Sequence, residues 1–239
     1  MNYLISYTQP SSYPCGPLTS GPAPAFRATS TKGEIVFPDD YFGKWKILFS
    51  HPADFTPVCT SEILALAASQ DEFQGLNTQI LVLSTDGLSS HIAWVKSMED
   101  MAYQGLPGHI TENPNRAIKI DFPLIADTDL AISRGYGLLQ ADPGAKRDIR
   151  GVVFIDPENN IKAFFHYPAN VGRNIAEIKR TLLALQMEDR HDVLLPVDWH
   201  PGSEVLIHSP SSMKEAEKLD NSKRTDLRRA SWYMWYKKM

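Results

Sequence analysis

Two kinds of apolar spacing alternate along the chain. Residues 45–50 (WKILFS) and 79–84 (QILVLS) are unbroken apolar runs of strand length, the pattern of strands covered on both faces of a parallel sheet. Between them, CTSEILALAASQDEF sets Ile63, Leu66, Ala67 and Phe73 at near-helical spacing, with Thr and Pro just ahead in the starting turn. A second helix is predicted in SSHIAWVKSMEDM, where Ser89 and Ser90 serve as caps and Ile92, Val95 and Met98 share a face. Residues 102–127 read as loop, closing in a short strand over 122–125, and a short helix follows in DTDLAISRGYG, ended by Gly135 and Gly137. GVVFI (151–155) and IKAFFHY (161–167), separated by DPENN, predict an antiparallel hairpin. Asn174 with Glu177 opens a last helix whose Ile175, Ile178, Leu182 and Leu185 form one stripe.

The order is strand, helix, strand, helix, then hairpin and helix: a parallel βαβ unit completed by an antiparallel ββα unit. The predicted class is α/β, a thioredoxin-like fold with a central mixed sheet flanked by helices. Ahead of it, residues 1 to about 33 are rich in Pro, Gly, Ser and Thr, which predicts an extended surface lead-in rather than a packed element. Behind it, LLPVDWHPGSEVLI and MKEAEKLDNSKRTDLRRASWYMWYKKM read as a small extension that packs on the main domain or on another subunit. The expected boundaries are a flexible arm at 1–18, the thioredoxin-like domain at 19–187 and the C-terminal extension at 188–239.

Composition narrows the class. Of 239 residues 43% are hydrophobic, enough for a full core, yet no apolar run reaches the roughly 18 residues a membrane-spanning helix needs. The start, MNYLISYTQPSSYPCG, lacks the basic and continuous apolar stretches of a secretory signal, so a cytoplasmic location is expected. A net charge of -4 with interleaved acids and bases argues against a nucleic-acid binder. Bases interleave with aromatics in RRASWYMWYKKM, and packing against a partner subunit is preferred there over membrane contact. The seven histidines show no HExxH or comparable ligand spacing, and GxGxxG and GxxxxGK are absent, so no metal and no cofactor is expected. Two cysteines, Cys15 and Cys59, cannot make a disulfide scaffold, a zinc module or a CxxC pair. Any cysteine chemistry is that of one nucleophile with a distant second thiol.

The candidate chemistry lies in His51 to Glu62, HPADFTPVCTSE. A strand ends at His51, a proline turn follows, and Cys59 falls where the next helix begins, where unpaired N–H groups and the positive end of the helix dipole favour a thiolate. A lone cysteine is more often a small buried hydrophobe; the string around Cys59 sets it apart. Pro52, Thr56 and Cys59 match the Pro-xxx-Thr-xx-Cys motif of the peroxiredoxins, and SHPADFTPVCTSE resembles the active-site segment of the one-cysteine, peroxiredoxin 6 type of the AhpC/TSA group. Arg150, just before GVVFIDP, stands where that family has its active-site arginine, and YPANVGRN at 167–174 and PVDW at 196–199 resemble further stretches of the subgroup. The likeness spans residues 20 to 205, with four motifs in the same order.

The resemblance implies a thiol-dependent peroxidase that reduces hydrogen peroxide and organic hydroperoxides to water and alcohols, serving antioxidant defence and redox homeostasis. Cleaving an O–O bond by in-line attack needs an ionised sulfur, a group that holds the peroxide, and positive charge where the leaving oxygen turns negative. Cys59 is the expected nucleophile and becomes a sulfenic acid. Thr56 would hydrogen-bond the peroxide, Arg150 would stabilise thiolate and transition state, Pro52 would shield the sulfur, and N–H groups around Val58 and Cys59 would complete the pocket. Glu62 is a candidate to orient an arginine and His51 to hydrogen-bond near the sulfur, while Arg173 resembles a second family arginine; each has a solvated or structural alternative. No cysteine follows Cys59, so an external thiol reductant (glutathione, a thioredoxin-type protein or another small thiol) is expected to resolve it, with Cys15 as an alternative resolving thiol. Excess peroxide would carry Cys59 on to sulfinic acid. The family also implies a homodimer or a larger ring. Some peroxiredoxin 6 relatives carry a lipase-like serine before the first strand, which DDYFGKWKILFS lacks, so no phospholipase activity is carried over. The alternative reading is a redox sensor or chaperone-like protein on the same fold, switched at Cys59.

Overall fold

The computed structural model describes residues 21–103, 118–140 and 146–239, and the chain divides into two compact units, Met1–Arg173 and Asn174–Met239. The first unit opens with β1 (Gly21–Pro22), β2 (Phe26–Ser30), β3 (Gly33–Phe37) and a short 3-10 turn (Asp39–Tyr41). There follow β4 (Trp45–Ser50), α1 (Pro57–Gly75), β5 (Thr78–Ser84), α2 (Leu88–Tyr103), β6 (Leu124–Ala126), α3 (Ala131–Gly135), β7 (Arg150–Ile155) and β8 (Asn160–Tyr167). The described strands of this unit form one sheet in the order β1-β8-β7-β4-β5-β6-β2-β3. β5 pairs in parallel with β4 and β6, whereas β7 is antiparallel to both β4 and β8. This mixed sheet is the thioredoxin-like arrangement that the order of elements predicts.

β4 and β7 lie at the centre and are buried at every position, which is why both carry continuous apolar runs. Strand alternation turns Leu48, Leu81, Leu83, Val153 and Ile155 to one face, where Ile35, Phe37, Ile132, Tyr136 and Leu138 pack on them. Ile47, Phe49, Val82, Val152 and Phe154 have the opposite parity and are equally buried. α1 packs on β5, α2 on β6, and the two helices on each other.

The lead-in ends earlier than its composition suggests. Residues 21–37, expected in large part as unpacked chain, form β1 to β3. Gly33 closes the β2–β3 hairpin at φ 104°, a conformation open to glycine, and Ser30 Oγ donates to its carbonyl at 2.8 Å. Phe26 and Phe37 then stack with ring centroids 4.8 Å apart. Five-residue strands this rich in Ser, Thr and Gly leave little alternation to detect. Elsewhere the elements agree in kind and differ at their ends. Ser89 and Ser90 lie inside the first turn of α2, not ahead of it. The strand expected over 122–125 begins at Leu124, because Pro123 has no N–H for the ladder; its carbonyl accepts from Val82 N–H at 3.0 Å. Residues 104–117 of the expected loop, and the whole arm at 1–18, lie outside the described residues.

The second unit contains α4 (Ile175–His191), β9 (Val205–Leu206), α5 (Met213–Asp220), β10 (Leu227–Ser231) and β11 (Met234–Lys237). Asn174 caps α4, its side chain accepting from the Glu177 N–H, while the Glu177 carboxylate turns to Arg180 instead of back to the cap. Val193, Trp199 and Val205 form a small core with Leu183, Ala184, Met187 and Leu195. The basic and aromatic chain end is the β10–β11 hairpin, and its arginines are paired locally. Arg228 meets Glu204 and lies 4.1 Å over the Tyr236 ring, and Arg229 meets Asp220. Trp232 and Tyr233 are exposed at the hairpin turn. No helix among the described residues is long and apolar enough to cross a membrane.

Candidate active site

The loop from His51 to Thr56 carries the chain out of the sheet and into α1. Phe55 takes a left-handed φ of 54° at the reversal, and Thr56 follows at the N-cap with extended backbone. The Thr56 hydroxyl makes no cap bond; it donates to the Ala53 carbonyl at 2.9 Å. Pro57 occupies the first helical position, where a missing N–H loses no bond. The first helical bond runs from Thr60 N–H to Thr56 carbonyl, 2.9 Å, so the N–H groups of Val58 and Cys59 have no helix partner and stand at the positive end of the dipole. Cys59 is only 1% exposed.

β7 delivers Arg150 to this end of the helix. Its Nη1 lies 3.5 Å from Cys59 Sγ and also donates to Glu62, and its Nη2 donates to the Ala169 carbonyl at 2.7 Å. Arg173 enters from the segment after β8. Its Nε and Nη2 take the two Glu62 oxygens at 3.0 and 2.7 Å, and its backbone N–H reaches Oε1 at 2.7 Å. Nη1 of the same guanidinium donates to the Ser50 and Gly151 carbonyls at 3.0 and 2.8 Å, and the group lies 5.1 Å over the Phe49 ring. Burial pulls Arg173 below its ordinary value, opposed by the Glu62 carboxylate. Glu62 therefore stands between two buried guanidiniums. That set carries one formal positive charge in excess, and an ionised Cys59 sulfur balances it.

A second network lies in the same loop. His51 Nε2 meets Asp54 Oδ1 at 2.9 Å, Asp54 Oδ2 meets His91 Nδ1 at 2.8 Å, and His91 Nε2 meets the Ile125 carbonyl at 3.2 Å. Burial alone would raise the Asp54 carboxyl, but the hydrogen bonds from both histidines overcome it and hold the group well below the usual carboxylate range. Burial pushes His51 down. His51, Asp54 and Asp86 bring ligand-type atoms within 4.8 Å of one another. Both Asp54 oxygens are taken by the histidines, however, and an Asp86 oxygen accepts from the Asp54 N–H at 2.7 Å.

Thr56, Val58, Cys59, Glu62, Arg150 and Arg173 thus converge around the start of α1, with Pro52 half-buried in the loop before it. The hydrogen bond of His51 goes to Asp54 and not to the sulfur. Cys15 lies outside the described residues. Sequence reasoning missed Asp54, His91, Ser50 and the Ala169 and Gly151 carbonyls. Only the His51-to-Asp54 spacing of three was a local hint.

Comparison with known proteins points to one family. Residues 19–164 match the AhpC/TSA family, and residues 184–220 match the C-terminal domain of 1-Cys peroxiredoxin. A peroxiredoxin of Methanosarcina mazei is 42% identical over 223 residues, 93% of this chain and 98% of its own length. One from Aquifex aeolicus is 36% identical, covering 93% and 97% of the two chains. Among solved structures, a yeast mitochondrial 1-Cys peroxiredoxin, studied for thiol resolution via glutathione/thioredoxin systems, superposes with a TM-score of 0.78 at 32% identity over 93% of this chain and 99% of that one. A cysteine-to-serine mutant of peroxiredoxin 6 from Arenicola marina gives 0.76 at 28% identity, over 93% and 98%. Likeness at this identity, running through both the cysteine-bearing unit and the C-terminal one, leads to a single assignment: the chain belongs to the AhpC/TSA family and is a peroxiredoxin, a thiol-dependent peroxidase.

Proposed function

We propose that Cys59 is the peroxidatic nucleophile of a one-cysteine enzyme acting on hydrogen peroxide and organic hydroperoxides. The observation that carries this is Arg150 Nη1 at 3.5 Å from Sγ, inside a buried set whose charges balance when the sulfur is ionised. The thiolate attacks one peroxide oxygen in line. The S–O bond forms as the O–O bond breaks, the leaving oxygen takes a proton and departs as water or alcohol, and Cys59 is left as sulfenic acid. Arg150 and the Val58 and Cys59 N–H groups donate to the peroxide oxygens as charge develops on them. The Thr56 hydroxyl donates to the Ala53 carbonyl, so its lone pairs are left to accept from the peroxide O–H. Glu62 and Arg173 fix Arg150, and Pro52 shields the sulfur.

Resolution falls to an external thiol: glutathione, a thioredoxin-type protein or another small thiol. The match of residues 184–220 to the 1-Cys C-terminal domain supports this, as does the likeness to the yeast protein resolved via glutathione/thioredoxin systems. The same reading makes the enzyme a cytoplasmic antioxidant protein, a homodimer or larger ring, with a catalytic domain at 19–187 and a dimerisation-associated extension at 188–239. Turnover tests the central role. Wild type is expected to consume many equivalents of hydrogen peroxide with a thiol donor, and Cys59→Ser none. Oxidation that stops after one equivalent with every donor would favour the sensor alternative. For resolution, a Cys15–Cys59 band on non-reducing electrophoresis after peroxide would overturn the external-thiol route.

A further inference from the structure

The Ser50 hydroxyl has no part in the roles above, yet it touches the backbone on both sides of Arg150, and the Ser50 carbonyl accepts from the Arg173 side chain. The antiparallel ladder between β4 and β7 runs from Lys46↔Ile155 to Phe49↔Val152 and stops there. One position further, the Ser50 side chain takes over from the main chain. Its Oγ accepts from the Gly151 N–H at 3.0 Å and donates to the Ile149 carbonyl at 2.7 Å. A hydroxyl has one proton to give and lone pairs to receive, so this one group clasps the peptide units on both sides of Arg150.

Two further observations belong to the same device. The Ser50 and Gly151 carbonyls both accept from Arg173 Nη1, at 3.0 and 2.8 Å. A Cβ at Gly151 would stand 3.0 Å from Ser50 Oγ and 2.5 Å from Leu138 Cδ2, so a side chain at 151 would crowd the hydroxyl and displace Leu138. Ser50 is 0% exposed, and water has no access to replace the clasp.

The structure assigns Ser50 as a positioning residue of the peroxidase: its hydroxyl sets the backbone on either side of Arg150, and with it the distance from guanidinium to sulfur, while its carbonyl helps seat Arg173. Ser50 meets no peroxide atom and acts only through the two arginines. The assignment rests on Cys59 as nucleophile and Arg150 as its partner.

Substitutions in the full-length chain test it, read by the second-order rate constant for oxidation by hydrogen peroxide, the pH profile of Cys59 alkylation followed by peptide mass, and the melting temperature. Ser50→Ala is expected to slow the peroxide reaction about 10- to 100-fold, the scale of a small misplacement of a catalytic group, and to move the alkylation profile to higher pH. Ser50→Thr, which keeps the hydroxyl, restores the rate to within about threefold of wild type on the same scale. Lys46→Met removes another side-chain hydrogen bond of β4, the part-buried one to Asn159 at 2.6 Å, and lowers the melting temperature with the rate unchanged. If Ser50→Ala does not fold, the isosteric pair Ser50→Thr and Ser50→Val carries the comparison, with Val slower by about tenfold. A wild-type rate in Ser50→Ala, or a loss that Ser50→Thr does not recover, overturns the assignment. Cys59→Ser run beside them separates the two readings, since peroxide turnover there would remove the Cys59 role itself.

Discussion

Glu62 holds a buried carboxylate between Arg150 and Arg173, and the three side chains are within 3% of full burial. Removing one member of such a set leaves uncompensated charge, at a typical cost of about 3–5 kcal/mol. Glu62→Gln keeps the shape and part of the hydrogen bonding, so it is expected to lose stability toward the lower end of that range in denaturant melts and to react more slowly with peroxide. Arg150→Lys is a sharper probe. An ammonium cannot serve Sγ, Glu62 and the Ala169 carbonyl from one fixed plane, and the rate of Cys59 oxidation in stopped flow is expected to fall about 100-fold with the fold intact. Glu62 was a candidate in the sequence because it stands in the motif three residues after Cys59. Its partners lie 88 and 111 positions away, and no local pattern reports contacts of that span. His51 shows the converse: a histidine beside the motif turns its Nε2 to Asp54 and not to the sulfur.

Among the elements, the buried ones were the most legible. β4, β5 and β7 are continuous apolar runs because the sheet covers them on both sides, and α4 announces its start through Asn174 and Glu177. β2 and β3 alternate too briefly, and β10 and β11 read as charged and aromatic chain because Arg228 and Arg229 are paired only after the hairpin folds. The cap supplies a prediction at this scale. Asn174→Ala removes the acceptor for the Glu177 N–H, 3.1 Å, and is expected to cost about 1 kcal/mol in denaturant melts without changing the peroxide rate.

At the scale of the whole molecule, two buried acids set opposite slopes of stability against pH. Burial pushes Asp148 up to about 8 from an ordinary 3.8, and the charges of Asp127 and Asp86 add to it. Ser133 opposes the rise without cancelling it, its hydroxyl donating to Asp127 at 2.6 Å. Between those pH values the native protein keeps a proton that the unfolded chain has lost, so this group makes stability fall as pH rises from about 4 to about 8 and level off above. Asp148→Asn is expected to flatten that slope and to be more stable than wild type at pH 8, by on the order of a few kcal/mol. Asp54 runs the other way. Its carboxyl is held low by His51 and His91, so its contribution is complete at neutral pH and is lost as pH falls below about 4. Guanidinium melts across this pH range check both slopes. In the proposed reaction one sulfur, that of Cys59, takes the oxygen. Its most direct test is a peptide mass map after one equivalent of hydrogen peroxide with a sulfenic-acid trap present. The adduct is predicted on the Cys59 peptide, absent from Cys59→Ser and reduced in Arg150→Lys; an adduct elsewhere with Cys59 left as thiol would contradict it.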